Sequence, residues 1–401
     1  MTIFELPERY RELRSEAGAV AAEVAPFAVE ADESSELHRP TLEALRASGL
    51  CDLMVPAAHG GRFDQVDPLA VCVVRGVFMK ASAHLDALFA LQGLGGYAIS
   101  LAGTPRQQAR WLPKVAAGEA LAAIALTEPE AGSDLKSITT VLHPATGGGD
   151  GGGLVLEGVK SFISNAPVAD FFTTLVREPA PGGGGEDLYS LVLVPAGEAG
   201  VTVTPSPEII APHVLGEVRF EGVRLSAEHR LGPPGRGFAQ VLATLSVFRA
   251  SVAGAAVGLM EGALEIAAAH AAERRQFGRP LVRLGPVAAL LADSWADLES
   301  SRLLAYRAAD AAREDPASSL DYSSLAKLAA TEAACRVVDR CVQVMGRWGL
   351  IRGARIEQYY RQARPMRIYE GASEVLRLGV ATRLCGDIVS AAGPAAPEAA
   401  R

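Results

Sequence analysis

A polar stretch about a third of the way along the chain has the residue types of a ligand-binding loop. Residues 125–134 read Ala-Leu-Thr-Glu-Pro-Glu-Ala-Gly-Ser-Asp. Thr127 offers a hydroxyl, Pro129 holds the residue before it extended, and Gly132 and Ser133 leave backbone N–H groups exposed. The chain reads as helices before this loop and as strands after it. Cofactors commonly bind at such boundaries, so we expect a ligand rich in hydrogen-bond acceptors here.

Other short segments carry reactive groups, and each has a plain structural interpretation on its own. Phe162 and Ser164 lie in a segment typical of a strand with a polar end. Glu370 stands just before Gly371, where a carboxylate is most often a solvated capping residue. Arg274 ends a predicted long helix, where its charge would offset the dipole of the helix C-terminus. Singly, these residues do not specify a function.

Together, however, five motifs occur in the order found in the acyl-CoA dehydrogenase family, which the chain resembles over about residues 6–390. The five motifs cover residues 125–134, 158–166, 273–278, 343–349 and 367–374. Within these motifs, four positions depart from the family pattern. Phe162 and Ser164 stand where most members have Trp and Thr, Arg347 replaces a glycine, and Ala372 replaces a threonine. Phenylalanine keeps an aromatic face and serine keeps a hydroxyl donor, so the flavin interpretation is retained.

The resemblance implies FAD as the cofactor. By resemblance, the cofactor-binding residues are Leu126, Thr127, Gly132, Ser133, Phe162, Ser164, Arg274, Gln276, Phe277, Gln343, Gly346, Arg347, Ala372 and Glu374. The substrate-binding residues are Ser133, Arg249, Tyr369 and Gly371. Arg274 and the 343–349 turn would reach the FAD of a neighbouring subunit. A homotetramer built as a dimer of dimers is therefore expected.

The resemblance also makes Glu370 the catalytic base. In this chemistry a carboxylate removes the α-proton of an acyl thioester while hydride passes from the β-carbon to flavin N5. The backbone N–H of the base and a ribityl hydroxyl polarise the thioester carbonyl. Some members carry the base on a long helix instead, but the corresponding residue here is Phe248, which cannot take a proton. Arg249 matches a position near the substrate, and a salt bridge within the bundle is an equally good interpretation of it.

Several functions remain open at this stage. The first is a dehydrogenase that passes electrons to an electron-transferring flavoprotein. An acyl-CoA oxidase would use the same residues, and a flavin monooxygenase on the same scaffold would not need Glu370. Ser246 replaces an acid that touches the pantetheine arm in many members, so the substrate is either acyl-CoA or an acyl group on a carrier protein. A protein that only binds acyl thioesters is the non-enzymatic alternative.

Periodicity predicts the elements that position these residues. Helical spacing dominates residues 1–121, and short β-branched and aromatic runs fill 122–232, before long Ala/Leu-rich helices return in 233–390 and a flexible tail follows at 391–401. The predicted strands are residues 153–164, 171–176, 189–194, 201–204 and 214–223. The predicted long helices are residues 238–274, 284–313, 318–347 and 373–390. We therefore predict an α+β fold with an N-terminal helical domain, a small middle β domain and a C-terminal four-helix bundle. A capping box should start a helix at Thr104.

The glycine clusters are predicted to have structural roles. Gly93–Gly96 should interrupt the N-terminal helices and allow close contact between them, because no strand precedes these glycines as a dinucleotide-binding fingerprint requires. Gly147–Gly153 and Gly182–Gly185 are expected to be flexible connections between strands.

Composition narrows the partners. The net charge of −8 makes nucleic acid an unexpected partner. Five scattered cysteines without a paired motif predict a reduced, cytoplasmic protein without a metal site. Neither a signal peptide nor a membrane span is expected from the hydrophobic pattern.

Overall fold

The computed structural model describes residues 5–145, 153–180, 185–316 and 318–392. In this part of the chain the α-helices are α1 (Glu8–Val24), α2 (Ala28–Asp32), α3 (Arg39–Ser48), α4 (Pro68–Ala81), α5 (Ala83–Ala102), α6 (Pro105–Ala116), α7 (Gly237–Glu273), α8 (Gly285–Glu314), α9 (Leu320–Met345), α10 (Arg355–Met366) and α11 (Ser373–Ala392). The strands are β1 (Ala122–Ala125), β2 (Val141–Pro144), β3 (Leu154–Ser164), β4 (Phe171–Glu178), β5 (Leu188–Pro195), β6 (Val201–Pro205), β7 (Leu215–Leu225), β8 (Arg275–Gln276) and β9 (Arg279–Pro280). The predicted order of helices, sheet and helical bundle is confirmed.

The glycines of the 93–96 cluster lie inside α5, so the prediction that they interrupt the helices is wrong. Their use for close contact is right. A Cβ atom on Gly93 would lie 2.2 Å from the Phe248 ring, and one on Gly95 would lie 2.6 Å from the Ala122 side chain. Helix α5 therefore packs tightly against both α7 and β1. The next helix, α6, begins with the predicted capping box of Thr104 and Gln107.

A seven-stranded mixed sheet forms the middle of the molecule. Its strands run in the order β1-β4-β2-β3-β7-β6, with β5 paired to the other edge of β4. Strands β1 and β2 were not predicted, because each has only four residues and β1 reads Ala-Ala-Ile-Ala, without the β-branched run that signals a strand. Pairing with β4 decides their conformation instead of local preference.

The C-terminal region is built around α7, which packs against α4, α8 and α9. Two helices, α5 and α7, are long and apolar enough to span a membrane, but 78% and 89% of their most apolar stretches are buried inside the fold. Both are core helices of this structure. Helix α10 was not predicted, although Ile356, Tyr359, Ala363 and Met366 give it a buried stripe at helical spacing.

Most of Gly147–Gly153 and Gly182–Gly185, and the tail from residue 393, lie outside the described residues. Helix α11 continues to residue 392, two residues past the predicted bundle. All five cysteines are free thiols, as predicted. The described residues contain no cluster of three or more His, Cys, Asp or Glu side chains suited to a metal ion.

Candidate active site

A buried ion pair fixes the polar loop to the sheet. The Nζ of Lys160 on β3 lies 2.9 Å from Glu128 and donates a second hydrogen bond of 3.0 Å to the carbonyl of Leu126. Glu128 also accepts hydrogen bonds from Thr139 and from the backbone N–H of Thr140. Burial opposes ionisation of Glu128, but the Lys160 charge and these bonds outweigh it and lower its pKa to about 2. The loop is thereby held in one conformation.

Beyond the anchored residues Leu126 and Glu128, the loop presents its remaining polar groups outward. The Ser161 N–H donates to the carbonyl of Thr127 at 2.9 Å, which ties the loop to the end of β3. Thr127 and Leu126 are half-buried, and Gly132 and Ser133 are exposed. Leu126 and Thr127 thus lie next to the end of β3, and Gly132 and Ser133 lie farther along the same loop.

A bulge near the end of β3 turns an aromatic ring outward. The pairing of β3 with β7 is irregular between Lys160 and Ile163, and Phe162 between them has φ +55°. Such a backbone conformation is uncommon outside glycine, and bulges often redirect a side chain next to a functional site. The Phe162 side chain is 57% exposed, whereas large aromatic side chains are usually mostly buried. It offers a free ring face beside the loop.

Ser164, which ends β3, is hydrogen-bonded to a histidine that the sequence reading did not find. The Nε2 of His213 lies 2.9 Å from the Ser164 Oγ. Burial, and then the proximity of His84, lower the pKa of His213 to about 4, so its imidazole is neutral at neutral pH. His213 is distant in sequence from every motif. Only the fold brings it to Ser164.

Glu370 sits in a tight turn between α10 and α11. Its φ is +52° and that of Gly371 is +112°, so two successive residues have left-handed backbone conformations. The Glu370 Oε2 atom is buried, and no described residue donates a hydrogen bond to it. Burial raises the pKa of Glu370 against the opposing charges of Arg75, Arg249 and Lys327. A solvated capping carboxylate, the plain interpretation of Glu370, does not have these properties.

Two cationic side chains hold the backbone of this turn. The Arg249 Nε donates to the carbonyl oxygen of Glu370 at 2.8 Å, and its Nη1 donates to the Oγ of Ser324 at 2.9 Å. The Nζ of Lys327 donates to the carbonyl oxygen of Gly371 at 2.6 Å. Arg249 has no carboxylate partner among the described residues, so the salt-bridge interpretation of it is wrong. It anchors the turn through backbone contacts.

Residues on the first turn of α5 interact both with the Ser164–His213 pair and with the turn that contains Glu370. His84 on this turn interacts electrostatically with His213. Two residues later, Asp86 forms a buried ion pair of 2.7 Å with Arg75, whose charge acts on Glu370. The N-terminal helices, the sheet and the bundle therefore meet at one place.

Three further predicted cofactor residues are exposed and lie at the far end of α7. Arg274 follows the last residue of α7, and Gln276 and Phe277 belong to the β8–β9 hairpin. Phe277 is 88% exposed. Because α7 is one continuous helix, its rise of about 1.5 Å per residue places Arg274 roughly 37 Å from Arg249.

The end of α9 is a second exposed location. Gly346 ends the helix with φ +57° and ψ −135°, a conformation that favours glycine. Gln343 is exposed, and the Arg347 guanidinium lies 5.0 Å from the centre of the Trp348 ring. Among the described residues, no hydrogen bond or ion pair links the end of α9 to the turn that contains Glu370. Within the same part of the chain, none links the residues near Arg274 to that turn.

The start of α11 adds the last two predicted cofactor residues. Ala372 is half-buried beside Gly371, and Glu374 is exposed, with one carboxylate oxygen 3.7 Å from Arg377. Tyr369 precedes Glu370, and its side chain is 38% exposed. The turn 369–374 thus combines the candidate base with neighbouring polar groups.

The donor set on these surfaces fits a flavin dinucleotide. An exposed aromatic face at Phe162, hydroxyls at Thr127 and Ser164, and free backbone N–H groups near Gly132 suit a flavin ring with many acceptors. The planar guanidinium of Arg274 suits a pyrophosphate.

Sequence reasoning missed His213, Lys327 and the Arg75–Asp86 pair. Arg75 had a signal, since it is a charge flanked by apolar residues in the middle of α4. Lys327 had none, because a lysine among alanines in a helix usually faces solvent.

Comparisons with known proteins show the family to which the chain belongs. Three family models match the chain: acyl-CoA dehydrogenase N-terminal domain at residues 7–119, middle domain at 123–223 and C-terminal domain at 235–385. A probable acyl-CoA dehydrogenase of Mycobacterium tuberculosis is 32% identical over 380 residues, which is 94% of this chain and 95% of the relative.

Solved structures share the fold. The structure of butyryl-CoA dehydrogenase from Megasphaera elsdenii is 26% identical with a TM-score of 0.89, covering 96% of this chain and all of that one (100%). An acyl-CoA dehydrogenase from Bacillus anthracis complexed with FAD is 26% identical with a TM-score of 0.88, covering 98% of this chain and 69% of that one.

Proposed function

The chain belongs to the acyl-CoA dehydrogenase family of FAD-dependent oxidoreductases, and on this premise we propose that it forms a 2,3-double bond in an acyl thioester. The observation that carries the proposal is the carboxylate of Glu370, whose Oε2 atom is buried without a hydrogen-bond donor among the described residues, on a backbone with φ +52°. A base that must attack a weakly acidic C–H group benefits from these properties.

Glu370 is the group that removes the α-proton. Burial raises its pKa above that of an ordinary carboxyl, which brings its basicity closer to that of the carbon acid. Arg249 donates a hydrogen bond to the carbonyl oxygen of Glu370, and Lys327 donates one to that of Gly371. The backbone that carries the carboxylate is therefore held in place. Bound FAD supplies the two-electron acceptor for the hydride that leaves the β-carbon.

Residues from two copies of the chain would hold the FAD. Leu126, Thr127, Gly132, Ser133, Phe162, Ser164, Ala372 and Glu374 would contact it from one copy, and Arg274, Gln276, Phe277, Gln343, Gly346 and Arg347 from its neighbour. The exposure of the second set and its distance along α7 from Arg249 support this division. Ser133, Arg249, Tyr369 and Gly371 are the proposed residues near the thioester.

The direct test is a Glu370→Gln variant mixed anaerobically with a panel of acyl-CoA thioesters. We expect it to bind FAD but to lose bleaching of the flavin by a factor of about 10³ or more, because glutamine cannot accept the proton. Glu265→Gln, an exposed position on α7, is the matched control and should bleach like the wild type. Undiminished bleaching in Glu370→Gln would refute the base.

A second candidate is the same reaction on an acyl group attached to a carrier protein. Ser246 is buried, and its Oγ is bonded to the Oγ of Ser319 at 2.9 Å, so this position provides no charge for a CoA arm. Comparing CoA-bound and carrier-bound forms of one acyl group separates the candidates. Hydrogen peroxide release during turnover would indicate an oxidase instead of a dehydrogenase that reduces an electron-transferring flavoprotein.

We also propose the location and assembly of the enzyme. A cytoplasmic location is consistent with the free thiols. The proposed assembly is a homotetramer built as a dimer of dimers, in which the exposed residues near Arg274 and Gln343 reach a neighbouring copy. The proposed domains remain residues 1–121, 122–232 and 233–390. Size-exclusion chromatography with light scattering tests the assembly, and a flavin-loaded monomer would refute it.

A further inference from the structure

Lys327 is a buried cation that the mechanism above uses only as a backbone contact. It lies on α9, its side chain is 0% exposed, and its Nζ donates to the Gly371 carbonyl oxygen at 2.6 Å. Within the described part of the chain, no carboxylate oxygen lies within ion-pairing distance (4.0 Å) of this Nζ. The ammonium group is therefore buried next to the base without a direct counterion.

Such a position is unfavourable for folding. Removing an ammonium group from water costs several kcal/mol, and an apolar side chain of similar volume is usually at least as stable at a buried site. Burial, and then the charge of Arg249, lower the pKa of Lys327 to about 8, while the charges of Glu370, Glu332 and Glu374 act in the opposite direction. Stability alone does not explain why a lysine stands here.

The turn that Lys327 contacts needs an anchor. Glu370 has a left-handed backbone conformation, which is strained for a residue with a side chain. At Gly371, a Cβ atom would lie 2.9 Å from Leu376 and 3.3 Å from Arg249, so the backbone packs closely against both. Hydrogen bonds to the two successive carbonyl groups oppose relaxation of this strain.

We propose that Lys327 is a positioning residue for the catalytic base: it ties the Gly371 carbonyl to α9 and supplies the positive charge that keeps Glu370 ionised before the α-proton is taken. This inference rests on the proposed role of Glu370. The charged and titratable groups that act on Glu370 are Arg75 from α4, Asp86 from α5, Arg249 from α7, Lys327 from α9 and Tyr369 from its own turn.

The three cations in this set differ in whether they have a carboxylate partner and in whether they can lose a proton near neutral pH. The Arg75 charge is largely used by its ion pair with Asp86. Arg249 stays charged at any pH of interest. Lys327 is thus the one cation in this set that both lacks a carboxylate partner and can lose its proton near neutral pH. Its loss should leave Glu370 harder to ionise.

The first experiment compares Lys327→Met with Lys80→Met. Methionine matches the length of the lysine stem, and Lys80 is a half-buried lysine of α4 that pairs with Glu261 and Glu265 away from the base. In single-turnover bleaching of the bound flavin by a thioester, Lys327→Met should move the acidic limb of the pH profile upward by about one pH unit. Lys80→Met should leave the profile in place.

A second experiment needs no substitution of Lys327. Only five lysines occur in the chain, so ¹⁵N-labelled lysine gives few side-chain signals. Lys327 should titrate below ordinary lysines in the wild type, and Glu370→Gln should lower its pKa further, because coupling between two sites is reciprocal. This measurement decides the proposal even if Lys327→Met does not fold.

The outcomes separate the inference from the proposed function. An unshifted acidic limb in a flavin-loaded Lys327→Met protein, or a Lys327 titration that ignores Glu370→Gln, would overturn the positioning role. A wild type that no acyl thioester bleaches would instead refute the proposed reaction, while the NMR titration would still report whether the two charges are coupled.

Discussion

At the scale of single residues, buried cationic side chains hydrogen-bond to the backbone of the segments that carry the candidate site. Lys160 and Glu128 fix the polar loop, and Arg249 and Lys327 fix the Glu370 turn. In both places the partner of a buried cation includes a carbonyl oxygen of the segment that carries the candidate chemistry. Buried charge therefore serves position more than stability in this protein.

The Lys160–Glu128 pair leads to a stability prediction. Lys160→Met leaves a buried carboxylate without its cation, and we expect it to lower the free energy of unfolding by about 3–5 kcal/mol. Denaturant unfolding at saturating FAD measures this. The exposed pair of Arg219 and Glu217 is the matched control, and Arg219→Met should change stability by less than about 0.5 kcal/mol.

A double variant tests the stated cause. In Glu128→Gln/Lys160→Met the uncovered charge is gone, so part of the loss should be recovered relative to Lys160→Met alone. If the double variant is as unstable as the sum of both single variants, the effect comes from lost packing and not from the unpaired charge.

The motif residues could be found from sequence only through their resemblance to a family. Thr127, Phe162 and Glu370 stand in short motifs, and such motifs and their order along the chain can be recognised from sequence alone. His213 and Lys327 contact the same segments across 49 and 44 positions of sequence. Nothing in their own neighbourhoods signals these contacts, so they required the fold.

At the scale of elements, small residues set how closely α7 approaches its neighbours. A Cβ atom on Gly258 would lie 1.8 Å from the backbone oxygen of Gly76 on α4. A Cβ on Gly254 would lie 2.4 Å from the backbone oxygen of Cys72. A backbone atom cannot move aside for an added Cβ as the end of a flexible side chain can. The distance between α4 and α7 therefore depends on these glycines. The two helices carry Arg75 and Arg249, which both act on Glu370.

Gly258→Ala should therefore destabilise the protein even though alanine favours helix. We expect a loss of about 1–3 kcal/mol from the forced separation of α4 and α7. Gly18→Ala on α1 is the control, because a Cβ there meets no atom within 4 Å. That substitution should stabilise by about 0.5–1 kcal/mol through helix propensity. Equal effects in thermal unfolding would contradict the role given to the close approach.

The elements also show where sequence periodicity succeeds and fails. Long helices such as α7 were predicted nearly to the residue, because their apolar spacing is sustained over many turns. Strand β1 was missed because four small residues carry no pattern. The Gly93–Gly96 cluster was misread as a break, since glycine has a low helix propensity and only packing against Phe248 and Ala122 explains it.

At the scale of the whole molecule, one chain does not bring its predicted cofactor residues together. Arg249 holds the Glu370 turn, and Arg274 lies roughly 37 Å farther along the same helix. If both belong to working sites, each site combines the Glu370 of one copy with the Arg274 of another. A two-fold arrangement of two such chains creates two equivalent sites.

This arrangement predicts that two inactive variants restore each other. Glu370→Gln removes the base, and Arg274→Glu repels the FAD pyrophosphate, so each variant alone should be inactive at limiting FAD. In a mixed dimer one site carries both defects and the other carries neither. Equal co-expression should then recover about one quarter of the wild-type rate of flavin reduction, since about half of the dimers are mixed and one of their two sites is intact. If each chain completed its own site, every site in the mixture would keep one defect, and no activity would return.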